Sequence, residues 1–287
     1  MPGVEPARPV ICAVVLDVDG TVLRSDHSVS PATSRAIARV IAVGVPVILA
    51  SSRSPRGLQP VQGALGLVGH HLVAYQGALT GRLTGTGSAE FEVLHELPMD
   101  LIHARVIAAM AADQGYSVSW YAGLTWYVDQ IDFRIRREAA VTGETPTVVD
   151  LFSLTAPAHK ILCIGPVGTS PDRLYELAER MPEGTVGRRS HSTYLEVTVS
   201  GADKPVGVEA LASHLGFCAD QVAAFGDGDN DLGMFAYAGT AVAMGNATAA
   251  IAAAATMTTA TQDRDGVAQA LTRLLVQGSI RPAGANT

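Results

Sequence analysis

The run Val10-Ile11-Cys12-Ala13-Val14-Val15-Leu16 is continuous, apolar and rich in β-branched residues, and it ends in Asp17-Val18-Asp19-Gly20-Thr21. An uninterrupted apolar run of this length is the pattern of a strand buried on both faces, as in a parallel sheet covered by helices. Acidic side chains at its carboxyl end lie where open parallel sheets bind ligands, in the crevice beyond the strand ends. Gly20 permits a tight turn out of the strand. Two like charges at one buried site need a cation or a shared proton. Taken alone, the stretch reads equally well as a strand-ending turn with solvated aspartates.

Working outward, Ser30-Pro31 supplies a helix N-cap and a proline at the first helical position. Ile37, Val40 and Ile41 follow at helical spacing, and Gly44 is the stop. Residues 45–50 read as a second buried strand and 72–75 as a third. Strands alternating with helices imply parallel pairing through right-handed crossovers. After about residue 82 the pattern changes. Strands are predicted over 91–97, 117–120, 125–128, 160–165, 185–189 and 194–199. A helix over 100–114 carries Ile102, Val106, Ala109 and Met110 on one face, and another after Ser170-Pro171 carries Leu174, Leu177, Ala178 and Met181. Twice a helix is followed by two strands, the order of an α+β module, and both tryptophans fall inside it. The βα pattern resumes with a helix over 204–215, buried strands over 222–225 and 240–243, an edge strand over 255–259 and a closing helix over 267–276. The organisation expected is a disordered tail over 1–9, a parallel α/β core from 10–81 and 200–276, an inserted α+β domain over 82–199 and a flexible tail over 277–287.

Gly226-Asp227-Gly228-Asp229-Asn230-Asp231 again follows a buried strand directly. Three aspartates and an asparagine in five positions make a donor set for a hard cation. A calcium loop counted from Asp227 needs glycine at its sixth position and glutamate at its twelfth, where this chain has Leu232 and Ala238. Magnesium, which takes few protein ligands and keeps water and phosphate, suits the segment better. The bland alternative is an acidic turn that caps the next helix. Ser51-Ser52-Arg53 follows the second strand, where hydroxyls and backbone N–H groups meet phosphate oxygens; alone it reads as an ordinary N-cap. Lys204, beside Pro205, opens the helix before the Asp227 strand and alone reads as a solvated surface lysine. No Walker loop is present, the glycine-rich stretch 81–87 reads as a hinge, and the eight histidines form no HExxH pair. Four independent elements map to one edge of the predicted sheet, and that convergence favours a single site.

The chain has 287 residues, enough for one large or two ordinary domains. With 48% hydrophobic and 16% charged residues it is not a disordered polymer. A net charge of −7 without a basic run argues against nucleic-acid partners. Cys12, Cys163 and Cys218 are widely spaced and form neither a disulfide framework nor a zinc site, which fits a reducing, cytoplasmic compartment. No segment reaches the ~20 apolar residues of a membrane span, and residues 10–16 are too short for a signal-peptide core.

With DxDGT at residues 17–21 and GDxxND at 226–231, in this order and separation, the sequence resembles the haloacid dehalogenase superfamily of phosphohydrolases, in its Cof-type (type IIB) group. The likeness runs over about residues 10–275 and takes in Tyr75-Gln76-Gly77-Ala78, Val242-Ala243-Met244-Gly245-Asn246-Ala247 and Asp265-Gly266-Val267-Ala268. It implies an α/β fold, a Rossmann-like parallel-sheet core with the 82–199 insertion as an α+β cap. Asp17 is then the nucleophile that forms an aspartyl-phosphate, and Asp19 the acid and later the base. Ser51 and Lys204 bind the phosphoryl oxygens. Asp17, the Asp19 carbonyl and Asp227 hold Mg²⁺, with Asn230 and Asp231 supporting the metal shell. Departures are Ser51-Ser52 for Thr-Gly, Lys204-Pro205 for Lys-Gly, and Gln76 for asparagine. Ser52, Arg53, Gln76, Gly77, Arg188, His191, Tyr194 and Asn246 are candidate substrate contacts. The implied activity is a Mg²⁺-dependent phosphatase for a small phosphorylated metabolite, a sugar phosphate or a phosphorylated cofactor. Its rivals are a phosphomutase or phosphotransferase and a non-catalytic phospho-ligand-binding protein. The expected protein is a cytoplasmic monomer or homodimer with no membrane or nucleic-acid partner.

Overall fold

The structure, a computed structural model, describes residues 10–84 and 90–282. The expected tail over 1–9, residues 283–287 of the expected C-terminal tail and part of the glycine-rich stretch lie outside the described residues. In chain order the elements are β1 (Ala13–Leu16), α1 (Pro31–Ala42), β2 (Val47–Ala50), α2 (Pro55–Leu65), β3 (His71–Ala74), β4 (Leu79–Thr84) and β5 (Glu90–Glu96). There follow α3 (Leu101–Asp113), β6 (Ser117–Ala122), β7 (Thr125–Val128), α4 (Phe133–Thr142), β8 (Thr147–Val148), β9 (Lys160–Ile164), α5 (Pro171–Glu179), β10 (Thr185–His191) and β11 (Tyr194–Val199). The chain closes with α6 (Lys204–Leu215), β12 (Val222–Gly226), α7 (Leu232–Tyr237), β13 (Thr240–Ala243), α8 (Ala249–Ala254), β14 (Met257–Thr258) and α9 (Gly266–Val276).

The described residues divide into two compact units: 10–51, 60–73 and 208–282, and 52–59, 74–84 and 90–207. In the first, the strands run β14-β13-β12-β1-β2-β3, every pair parallel. β1 is buried throughout, as its apolar run predicts. Its neighbours are β2, reached through α1, and β12, from which the chain moves on to β13 in the opposite direction. The β1/β12 boundary is therefore the switch point at which α/β sheets bind ligands. Ser30 caps α1 by accepting from the Thr33 N–H at 3.0 Å, with Pro31 at the first helical position. The reading of 277–287 as a flexible tail is corrected over 277–282. The Ile11 N–H donates to Ser279 O at 2.8 Å, the Arg281 N–H donates to Ile11 O at 3.1 Å, and Ser279 and Ile280 are buried. The polar look of this segment hid an edge contact that satisfies the backbone just before β1.

In the second unit a sheet of order β10-β11-β9-β6-β7-β8 is antiparallel except for its β7–β8 edge. One face packs against α3 and α5 around Trp120, Ile161, Cys163, Leu195 and Val197. The alternation of a strand turns Ser119, Tyr121, Lys160 and Glu196 to the other face. The expected apolar face of α3 is corrected: Ile102 is 68% and Val106 41% exposed, whereas Ala104, Ile107, Ala108 and Ala111 are buried. Small alanines let the helix axis approach a sheet that carries bulky Trp120, with Tyr116 packed beside it, and this outweighs the larger side chains on the opposite face. Among the described residues no helix is long and apolar enough to cross a membrane.

Candidate active site

Asp17 is buried directly after β1, its N–H donating to Phe225 O at 3.0 Å. The chain then folds into a tight turn in which Val18 O accepts from the N–H groups of Thr21, Val22 and Leu23 at 3.4, 3.0 and 2.9 Å. Asp19 stands exposed in that turn. Gly20 has φ +84°, and a Cβ there would lie 2.3 Å from Asp227 Oδ2. Glycine is required on both counts, by its backbone conformation and by the approach of the Asp227 carboxylate.

Asp227 follows β12. Its Oδ1 accepts from Thr21 Oγ1 at 3.1 Å and its Oδ2 from Asn246 Nδ2 at 3.0 Å. Asp231, fully buried, accepts from the N–H groups of Asp227 and Gly228 at 2.9 and 3.0 Å. A Cβ on Gly226 would lie 2.4 Å from the Asp231 carboxyl carbon, so the strand must end in glycine for that carboxylate to fold back. Asn230 is half-buried beside Gly228. Asp17, Asp227 and Asp231 each offer one carboxylate oxygen within 4.8 Å of the others. At such separations two carboxylates repel by roughly 3–4 kcal/mol for an effective dielectric constant near 20. A divalent cation would offset that repulsion, and an all-oxygen donor set of this kind suits a hard cation such as Mg²⁺.

Ser51 is buried at the carboxyl end of β2, its N–H donating to Val73 O at 2.9 Å. In the second unit Lys204 is 0% exposed at the first position of α6. That overturns its reading as a solvated surface lysine, because an ammonium group is tolerated in the interior only with acceptors for its charge. The preceding Asp203 accepts from the Lys204 N–H at 2.9 Å. Tyr75, Gln76 and Gly77 are successive residues with positive φ, +51°, +59° and +97°. A Cβ on Gly77 would lie 2.1 Å from Asp203 O. Gly77 thus serves the backbone in front of Lys204, and Gln76 is buried with its Oε1 lacking a hydrogen-bond partner.

The other candidate contacts are drawn into the second unit's own structure. Ser52 Oγ donates to Glu196 Oε1 at 3.3 Å, and Lys160 Nζ donates to Ser52 O at 2.8 Å. Arg53 O accepts from the Tyr75 N–H at 3.0 Å. Arg188 Nη1 donates to Thr198 Oγ1 and Ala202 O, both at 3.4 Å. Tyr194 Oη donates to Glu138 Oε2 at 2.8 Å, and the exposed His191 ring lies 5.3 Å from the Tyr194 ring. Burial raises the Glu138 and Glu144 carboxyls above their ordinary range. Thr21 was visible within the DxDGT stretch but had no role read for it, and neither Glu138 nor Lys160 carried any motif signal.

A model of the haloacid dehalogenase-like hydrolase family matches residues 14–271. A Haemophilus influenzae protein named "Putative phosphatase" is 34% identical over 218 residues, 75% of this chain and 79% of that protein. A haloacid dehalogenase-like hydrolase from Bacteroides thetaiotaomicron superposes with TM-score 0.81 at 29% identity, covering 92% of this chain and 99% of that one. A sugar phosphatase of haloacid dehalogenase subclass IIB shares the fold with TM-score 0.77 at 22% identity, covering 92% and 99%. The acidic strand-end turns at 17–21 and 226–231 fall inside the matched region, and the chain belongs to the haloacid dehalogenase-like hydrolases, in their Cof-type group.

Proposed function

We propose that the protein is a Mg²⁺-dependent phosphatase that hydrolyses a small phosphorylated metabolite through an aspartyl-phosphate on Asp17. The carrying observation is that Asp17, more than 200 positions before Asp227 and Asp231 in sequence, brings a carboxylate oxygen within 4.8 Å of theirs at the switch point of a parallel sheet. Bound Mg²⁺ would supply the positive charge that lets a carboxylate approach a phosphate dianion. Asp17, Asp227 and the Asp19 carbonyl would hold it, with Asp231 bracing Asp227 and Asn230 assisting.

Asp17 attacks phosphorus in line as the ester P–O bond breaks, and Asp19 donates its proton to the departing alkoxide. Asp19 then takes a proton from water as that water attacks phosphorus, which frees inorganic phosphate and restores the Asp17 carboxylate. The Ser51 hydroxyl and the Lys204 ammonium receive the phosphoryl oxygens and stabilise their charge in the transition state. Residues 10–81 and 200–276 form the catalytic core, and 82–199 the cap that sets leaving-group preference. Sugar phosphates lead the substrate list, because the subclass IIB structure that shares the fold is named a sugar phosphatase. The reading places the enzyme in the cytoplasm.

The test is hydrolysis of p-nitrophenyl phosphate, then of a panel of phosphorylated metabolites, with Mg²⁺ and with EDTA. Turnover that EDTA abolishes, release of free phosphate, and a loss of several orders of magnitude in Asp17→Asn and Asp19→Asn are expected. Full activity in Asp17→Asn would remove the assigned nucleophile.

A further inference from the structure

Asn246 is expected from the sequence to touch substrate, yet its amide is already committed. Nδ2 donates one N–H to Gly20 O at 2.9 Å and the other to Asp227 Oδ2 at 3.0 Å, while Oδ1 accepts from the Gln262 N–H at 3.3 Å. A primary amide has two N–H donors, so neither remains for a substrate oxygen. The reverse orientation would press Oδ1 against two acceptors, so the network determines the amide's direction. Gly20 directly follows Asp19, and Asp227 is the carboxylate whose other oxygen is held by Thr21. The loop that presents the amide is itself fixed: the Gly245 N–H donates to Ala260 O at 3.1 Å, and a Cβ on Gly245 would lie 2.8 Å from the Thr261 nitrogen.

We infer that Asn246 is a positioning residue that couples the turn carrying Asp19 to the metal-holding carboxylate of Asp227; this rests on the phosphatase reading above. A neutral amide suits the task. It fixes the rotation of Asp227 through a charge-assisted bond without adding a fourth negative charge to Asp17, Asp227 and Asp231. By holding Gly20 O it also fixes the Gly20–Thr21 peptide, one unit beyond the general acid, so the turn that carries the proton donor and the metal-holding carboxylate share one reference point.

The experiment is Mg²⁺ calorimetry on the substrate-free Asn246→Ala protein, with steady-state kinetics on p-nitrophenyl phosphate at saturating Mg²⁺. Mg²⁺ affinity should weaken by about 10–100-fold, the usual effect of losing a group that orients a ligand. The kcat should fall at least tenfold while KM stays within about threefold, and the Mg²⁺-induced rise in melting temperature should shrink. If Asn246→Ala does not fold, Asn246→Ser replaces it, since a single hydroxyl proton cannot serve both acceptors. A raised KM with unchanged Mg²⁺ affinity would make Asn246 a substrate contact and overturn the proposal, as would unchanged kcat and affinity. Asp17→Asn, assayed alongside, separates the two levels: if it retains full turnover the assigned nucleophile and the mechanism resting on it fail, whereas an inactive Asp17→Asn leaves the Asn246 results to decide the coupling alone.

Discussion

Asp231 holds the backbone of Asp227: its buried carboxylate accepts the Asp227 N–H at 2.9 Å and that of Gly228 at 3.0 Å. A carboxylate used this way shapes the loop before any cation binds. Asp231→Asn can keep both acceptor contacts through its oxygen and loses only the charge assistance. Asp231→Ala removes the carboxylate acceptor from two part-buried N–H groups, at up to about 1–3 kcal/mol each. The alanine variant should therefore be markedly less stable in urea titration than the asparagine variant, and both should lose phosphatase activity. Equal stability of alanine variant and wild type would show that the loop needs no such brace.

Gly77 makes an analogous prediction in the second unit. A side chain there meets Asp203 O at 2.1 Å and must also adopt φ +97°. Strain of this kind costs on the order of 1–3 kcal/mol. Because Asp203 precedes Lys204, the backbone shift that relieves the clash moves the lysine assigned to the phosphoryl oxygens. Gly77→Ala should lower both the melting temperature and kcat, and wild-type values of both would refute the packing argument.

What was legible in the sequence was local or periodic. Ser30 with Pro31 announces α1, and the apolar run before Asp17 announces β1, because capping and strand burial depend on neighbours in the chain. The acidic turns were legible because each ends a buried strand. The α4 helix, Phe133–Thr142, escaped notice, since its buried face consists of Ile135 and the charged Glu138 rather than an apolar stripe. Ile102 and Val106 misled because they are larger than the alanines that pack. The tie between Asn246 and Gly20 spans 226 positions and has no periodicity by which to find it.

The C-terminal contact predicts a stability effect. Ending the chain at Gly278 removes Ile280, its bridge to Ile11 and the acceptor for the Ile11 N–H. Burying an isoleucine side chain contributes roughly 1.5–3 kcal/mol. In a chain of this size that is a melting-temperature loss of several degrees, at about 2–4 °C per kcal/mol. Differential scanning calorimetry of the truncated chain measures it, and an unchanged transition would return residues 279–282 to the status of a dispensable tail.

Glu138 supplies the pH prediction. Burial raises its carboxyl, against the opposing effects of the Tyr194 hydrogen bond and the positive charge of Lys160, with Glu196 adding repulsion and Arg53 attraction. A carboxyl whose folded pKa is raised binds its proton more tightly in the folded state than in the unfolded one. Its stabilising contribution is complete below the ordinary value of 4.5 and is lost as pH rises through the folded pKa. Glu144, raised mainly by burial, acts in the same direction. Glu138→Gln keeps an oxygen for Tyr194 Oη, now 2.8 Å from the carboxylate, and removes the ionisation. It should therefore melt higher than wild type at pH 8, with the difference closing as pH falls toward 4.5, and some slope from Glu144 should remain. A glutamine variant that melts lower than wild type at pH 8, with the gap widening as pH rises, would mean that the ionised Glu138 is the form the fold prefers.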